Sequence, residues 1–330
     1  MAQPLRTTLV PDQALNTAAG TGSWNLPPNP LSAIIVTLRA LNETAALTTY
    51  SALAAFFTKF TNFAVRYRGA SVFDASSLDA AMIAMILQKW APKQGQINNT
   101  NNDVRSVTFP ILFGKKYGDP MQCFPATRSG DMVLSADWAA DGAGLDGFSL
   151  QIETLELLDA TPESFIKVTT SARTMTAGIG NTLDLPIGNK ILGTLLRAAT
   201  FPTGASFNSS FGQMALKIDN SEAYFSEVNW ESVQGEMGRL LPPGWTYPAH
   251  VHTENTAAAY AQNATSLEGM LDIAAAQQYG YLDFDPMGDQ TGGLETSGAA
   301  RIVIQNNSDV ADAADSFWLP VERVEVSKAA

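Results

Sequence analysis

The sequence predicts an all-β chain of two tandem eight-stranded jelly rolls with short flanking helices. Three observations predict it. Apolar segments of strand length are broken at short intervals by Gly, Pro, Asn and Asp. A set of segments recurs in the same order in both halves. The chain has 330 residues, more than one modest core needs, and 45% of them are hydrophobic, enough to fill two cores.

The repeat is sharpest at the end of each half. Residues 148–157 read FSLQIETLEL and residues 317–326 read FWLPVERVEV, which align at an offset of 169 and pair Glu153 with Glu322 and Glu156 with Glu325. Earlier in each half, Leu26-Pro27 matches Leu185-Pro186. Each is followed by an apolar run ending in Leu-Arg-Ala, at 38–40 and at 196–198. A hairpin comes next. Phe63, Val65 and Tyr67 alternate into a turn at Arg68-Gly69, and Met214, Leu216 and Ile218 alternate into Asp219-Asn220. The return strands carry Val72-Phe73 and Tyr224-Phe225. Thr127-Arg128-Ser129 before Met132-Val133-Leu134 then resembles Thr296-Ser297 before Ile302-Val303-Ile304.

Helices follow both hairpins. Ser76 is placed as an N-cap with Asp79 in the first turn, and Leu78, Met82, Met85 and Ile86 fall at helical spacing. The second helix begins near Asn229, with Trp230, Val233 and Met237 on one face. The segment LSAIIVTLRAL (31–41) is apolar on both faces and belongs in the middle of a sheet. The copies differ in their insertions. Leu47, Tyr50, Leu53, Phe57 and Phe60 form a helical stripe in the first, and an Ala-rich stretch at about 241–280, with Leu267, Leu271 and Ala274, enlarges the second. The expected organisation is an N-terminal arm at 1–20, jelly roll 1 at 21–160 and jelly roll 2 at 161–330, with DATPES (159–164) as the linker.

Charge excludes some functions. Only 16% of residues are charged, against about 25% in a typical soluble domain, and the net charge is −12. Residues 1–160 hold 11 basic and 13 acidic groups, while 161–330 hold 9 and 19. The densest basic runs, Arg66/Arg68 and Lys115-Lys116, are each too small to neutralise a phosphate backbone, so direct nucleic-acid binding is not expected. One cysteine, Cys123, permits no intrachain disulfide. No apolar run is long enough to span a membrane as a helix.

Catalytic signals are sparse. His250-Val251-His252 after Gly244 gives the opening of a cupin metal motif, but Glu254 follows too soon and the chain has no third His. No metal or cofactor is therefore assigned, and exposed loop histidines are the default reading. There is no G-x-S-x-G elbow. Glu153/Glu156 and Glu322/Glu325 sit at a spacing that turns the members of each pair to opposite faces of a strand, which disfavours paired-carboxylate hydrolysis. Cys123 beside Phe124-Pro125 reads as a small buried hydrophobe. Trp90, Trp138, Trp230, Trp245 and Trp318 serve cores and subunit contacts, or alternatively a sugar cleft. Asp283, Asp285 and Asp289, with Asp309, Asp312 and Asp315, fall in turn-rich stretches. They are open to two readings, an outward acidic crown or ordinary solvated loops.

Two jelly rolls in one chain, each with a hairpin and then a short helix, resemble the double jelly-roll major capsid proteins of tailless icosahedral viruses, the tectivirus, corticovirus and adenovirus lineage. The resemblance runs from about Gly22 to Val326. It is carried by FAVRYRGASVFD (63–74) and MALKIDNSEAYFS (214–226), by the runs 31–41 and 191–199, and by the helices after the hairpins. It implies a structural virion protein and not an enzyme: the major capsid subunit of a bacteriophage or archaeal virus, forming a homotrimer that is a pseudo-hexagonal capsomer of an icosahedral shell. It implies as partners further copies of itself, neighbouring capsomers, vertex (penton) and minor capsid proteins, and an internal viral membrane, with assembly in the host cytoplasm. Low charge fits flanks that neighbours cover. Two other readings stay open, a tandem β-sandwich glycan-binding module of lectin type and a cupin-like metal-dependent enzyme.

Overall fold

The computed structural model describes residues 2–42, 53–94, 102–142, 145–202, 208–242, 276–290 and 292–326. They fall into two compact units: Met1–Pro162 with Leu241–Ala276, and Glu163–Leu240 with Gln277–Ala330.

The first unit runs β1 (Gln3–Ala14), β2 (Gly20–Asn25), β3 (Leu31–Asn42), α1 (Leu53–Lys59), β4 (Phe60–Tyr67), β5 (Ala70–Ala75), α2 (Ser77–Gln88), β6 (Lys93–Gln94), β7 (Val104–Leu112), β8 (Met132–Trp138) and β9 (Leu145–Leu158). One sheet has the order β1-β9-β3-β7-β6. The other has the order β5-β4-β8-β2. All pairs are antiparallel. As its pattern predicts, β3 lies inside its sheet, and its first six residues are buried. Between the sheets Phe57 and Phe63 meet Phe109 edge-on, at ring-centre distances of 5.5 and 6.1 Å.

The second unit runs β10 (Ser164–Thr169), β11 (Ser171–Arg173), β12 (Gly178–Asp184), β13 (Lys190–Arg197), β14 (Gln213–Ile218), β15 (Ser221–Glu222), β16 (Val228–Asn229), α3 (Trp230–Gly238), β17 (Tyr279–Asp283), β18 (Ile302–Ser308) and β19 (Ser316–Glu325). Its sheets are β17-β13-β19-β10, with β11 also on β19, and β12-β18-β14-β15, with β16 also on β14. Its core gathers Leu183, Ile191, Leu196, Met214, Leu216, Ile302, Ile304 and Trp318, with Phe211 stacked on Trp230 at 5.4 Å.

Without the short β6, β11 and β16, the units share one topology. The orders β1-β9-β3-β7 and β5-β4-β8-β2 correspond strand for strand to β10-β19-β13-β17 and β15-β14-β18-β12. Each is an eight-stranded jelly roll. Small details repeat too. Both hairpins turn on two residues with positive φ, Arg68-Gly69 (49° and 84°) and Asp219-Asn220 (49° and 69°), the primed geometry that matches strand twist. In both, the first turn residue donates its N–H to the residue before the next sheet strand, Arg68 to Asp131 O and Asp219 to Arg301 O.

Both helices start where the sequence places them. Ser76 caps α2, its hydroxyl accepting from Asp79 N and donating to the Asp79 carboxylate. Asn229 precedes α3, whose Trp230, Val233 and Met237 are buried. The α2 helix is covered on nearly every side, packing on β7, β4 and α1, so its stripe is part of a larger buried surface.

Three expectations are corrected. Residues 3–14 are not an arm but an edge strand, paired with β9 from Gln3↔Leu158 to Ala14↔Ser149. Its side chains are mostly exposed, so no alternating pattern betrays it. The return strand β15 ends at Glu222, and Tyr224 bulges out at φ 61°. The register of the repeat also shifts. Leu31 bridges Phe124 and faces Glu156, while Ile191 bridges Leu294 and faces Glu322. Structural equivalence therefore joins Glu156 to Glu322. The E-x-x-E pattern repeats on itself after three residues, which is why the sequence match slid by one Glu. Leu47, Tyr50, Leu267, Leu271 and Ala274 lie outside the described residues.

Candidate assembly surfaces

Each jelly roll has two ends, set by strand polarity. One, the hairpin end, carries the β2–β3, β4–β5 and β7–β8 connections in the first unit (26–30, 68–69 and 113–131) and 185–189, 219–220 and 284–301 in the second. The opposite end carries the longer β3–β4 and β5–β7 connections and their counterparts. Loops at each end are tied together by backbone bonds, such as Leu31 N to Phe124 O at the first and Asp141 N to Thr17 O at the second.

The paired glutamates are structural. Glu156, 2% exposed, accepts from Asn29 Nδ2 at 2.6 Å, and Glu322, 1% exposed, accepts from Asn189 Nδ2 at 2.7 Å and pairs with Lys167 at 2.9 Å. Each thus fastens the β2–β3 loop of its jelly roll to the last strand. Their sequence partners differ: Glu153 pairs with Arg6 on β1, and Glu325 is exposed beside Arg323. The opposite-face expectation holds, and neither pair forms a two-carboxylate site.

Cys123 is fully buried, and burial first, then Asp119, pushes its thiol from 9.0 up to about 12. It therefore remains a neutral thiol at physiological pH. The six aspartates divide between the two ends of the second jelly roll. Asp283, Asp285 and Asp289 lie where β17 leads into its hairpin-end loop. Asp309, Asp312 and Asp315 lie at the other end, between β18 and β19. Asp285 is buried and accepts from Gln290 N, Asp283 pairs with Arg239, Asp312 accepts from Ser210 and Ser316, and Asp315 accepts from Thr174. A single acidic crown is thereby ruled out, because these carboxylates clamp loops at opposite ends.

A polar knot with no local signal in the sequence lies under the second end. Asn306 and Ser308 on β18, Asn181 on β12 and Ser210 are all buried and bonded to one another or to Ser210 O, with distances of 2.7–3.0 Å. The stretch Asn306-Asn307-Ser308 reads as a solvated turn, and only its long-range partners make it interior. His250, His252, Glu254 and Trp245 lie outside the described residues. Among the described residues no three His, Cys, Asp or Glu side chains converge as metal ligands, and no helix is long and apolar enough to cross a membrane. A cavity of about 210 Å³ is lined by Lys59, Leu145 and Phe148, and its lysine is already paired with Asp141.

Comparison with solved structures bears directly on the fold. The structure of the Sulfolobus turreted icosahedral virus major capsid protein superposes with a TM-score of 0.67 at 15% identity, covering 98% of this chain and 97% of that one. The major capsid protein of bacteriophage PM2 superposes at 0.59 and 12%, covering 98% and 99%. The Faustovirus major capsid protein gives 0.53 and 9%, covering 99% and 91%. The fold is a double jelly roll. No protein-family model and no curated protein sequence matches the chain. The double jelly roll here is thus a likeness of backbone with little shared sequence, as expected where packing pattern rather than a reactive site is retained. Both jelly rolls and their connection fall inside the match.

Proposed function

We propose that this chain is the major capsid subunit of a tailless icosahedral virus and acts by self-assembly rather than by catalysis. The observation that carries the reading is the full-length match: two jelly rolls of one topology, in one chain, coextensive with viral major capsid proteins. Three copies would present six similar jelly rolls around a closed three-fold axis, a pseudo-hexagonal tile able to meet six neighbours. The 16% charge supports the reading, since flanks rich in Thr, Asn and Ala suit surfaces that neighbouring subunits cover. In this reading the partners are further copies, vertex and minor capsid proteins and an internal membrane, and the site of action is the virion shell, assembled in the host cytoplasm. The structured residues supply shape and polar clamps, and no residue is assigned to catalysis, cofactor or metal.

The test is mass and shape. Purified protein is expected at three times 35.2 kDa, about 106 kDa, by mass photometry, with pseudo-hexagonal outlines in negative stain. A monodisperse 35.2 kDa species at micromolar concentration would overturn the assembly reading, and glycan binding by that monomer would favour the lectin alternative.

A further inference from the structure

The sequence shows two basic runs in an acidic chain, each too small to matter alone. The fold brings both to the hairpin end of jelly roll 1. Arg68 stands on the β4–β5 turn, with Arg66 two residues before it, and Lys115, Lys116 and Arg128 lie on the 113–131 loop. Helix α2 delivers Lys89 and Trp90 to the same end, where the Trp90 ring meets Tyr117 edge-on at 5.1 Å. Six cations therefore gather where the nearby acids are Asp119, Asp131, which pairs with Arg68, Asp159 just after β9, and Glu153, which pairs with Arg6 and acts on the Tyr117 phenol.

Apolar groups stand among these charges. Asp119 C=O accepts from Gln122 N across an Asp-Pro-Met-Gln turn, and the Asp119 carboxylate accepts from Met121 N. Met121 on this turn is 49% exposed, and Tyr117 on the same loop is 36% exposed. Burial pushes the Tyr117 hydroxyl above its ordinary pKa, so it is a neutral, half-sunk phenol. An indole, a phenol and a thioether interleaved with Lys and Arg is the side-chain mixture that settles at a bilayer interface: apolar bodies enter the acyl boundary and cations meet anionic headgroups.

We infer that the hairpin end of jelly roll 1 is a docking surface for an anionic lipid bilayer, with Lys115, Lys116, Arg68 and Arg128 meeting headgroups and Tyr117 and Met121 entering the interface. The inference rests on the capsid reading only for placing that bilayer inside a virion; the surface itself belongs to one jelly roll.

The test is vesicle flotation of the full chain, with its mass measured in parallel. Binding is expected to vesicles of phosphatidylcholine with 30% phosphatidylglycerol and not to pure phosphatidylcholine, and it should weaken as salt rises. The K115E/K116E double variant should bind about tenfold or more weakly, and Y117S/M121S should also bind less. R173E/K217E, the same charge change in jelly roll 2, should bind as the parent does. Unchanged circular dichroism and melting would show that each variant folds. Equal binding to both vesicle types, or K115E/K116E binding like the parent, would overturn the inference. So would capture of duplex DNA with no vesicle binding. A trimer that ignores vesicles defeats this inference and leaves the capsid reading standing, whereas a monomer that binds them does the reverse.

Discussion

Removing the Glu322 carboxylate tests the register correction in energetic terms. Its oxygens hold Asn189 at 2.7 Å and Lys167 at 2.9 Å, and the side chain is 1% exposed. In Glu322→Ala the half-buried Asn189 amide loses its acceptor, which costs about 1–2 kcal/mol. Lys167 is 28% exposed and can turn to water, so the ion pair adds only about 1 kcal/mol. The lost γ-methylene adds about 1 kcal/mol more. The whole, about 3–4 kcal/mol, is a large part of the 5–15 kcal/mol typical of a domain. Urea unfolding reads it globally, and hydrogen exchange of the β13 and β19 amides reads it locally. Glu325→Ala, at a side chain 77% exposed, is expected to cost under about 0.5 kcal/mol. If Glu325→Ala costs as much as Glu322→Ala, the structural equivalence of Glu156 and Glu322 is wrong. In a double-mutant cycle, Asn189→Ala with Glu322→Ala should cost less than the two singly, by about 1–2 kcal/mol.

Other outcomes follow from the same contacts. The Cys123 thiol is raised from 9.0 to about 12, so the folded chain keeps a proton that the unfolded chain loses. Stability fully present below pH 9 should then fall as pH rises from about 9 to about 12, with a slope approaching about 1.4 kcal/mol per pH unit above roughly pH 10, and Cys123→Ala should flatten that slope. The same thiol should ignore a disulfide reagent at pH 8 until the chain is unfolded in urea. A Cβ at Gly280 would lie 2.7 Å from the Trp230 ring and 3.1 Å from Val233, so Gly280→Ala should lower stability by about 1–3 kcal/mol in thermal melts. Ser76→Ala removes the α2 cap and should cost about 1 kcal/mol by the same measure, with Ser76→Thr largely restoring it.

Much of the architecture was legible because it was written twice. The turns at Arg68-Gly69 and Asp219-Asn220, the helix starts at Ser76 and Asn229, and the interior place of β3 all followed from local chemistry, and the structure repeats them. Register was less legible, because a periodic segment such as E-x-x-E matches itself when slid, and hydrogen bonding to Asn29 or Asn189 decides which Glu is which. The edge strand β1 was invisible for a related reason: a strand exposed on both faces carries no alternation. The polar knot at Asn181, Ser210, Asn306 and Ser308 was hidden because its members are up to 127 residues apart. The gathering of Arg68, Lys89, Trp90, Lys115, Lys116 and Arg128 depends on the β4–β5 turn, the end of helix α2 and the 113–131 loop meeting at one end of a sandwich, which no local window reveals.

Each jelly roll begins and ends at one corner. Gln3 lies opposite Leu158, and Ser164 opposite Glu325, so the first and last strands of each unit are hydrogen-bonded neighbours. A gene encoding one such unit could be copied in tandem with no rebuilding of either copy, since the exit of the first and the entry of the second need only the residues between Leu158 and Ser164 to join them. The same closure makes each unit a candidate for circular permutation, with new ends opened at a hairpin turn and the old ends joined by a short loop. Tandem duplication therefore asked little of this sequence, and the two copies were free to drift apart in charge while their hydrogen-bonded frame stayed common.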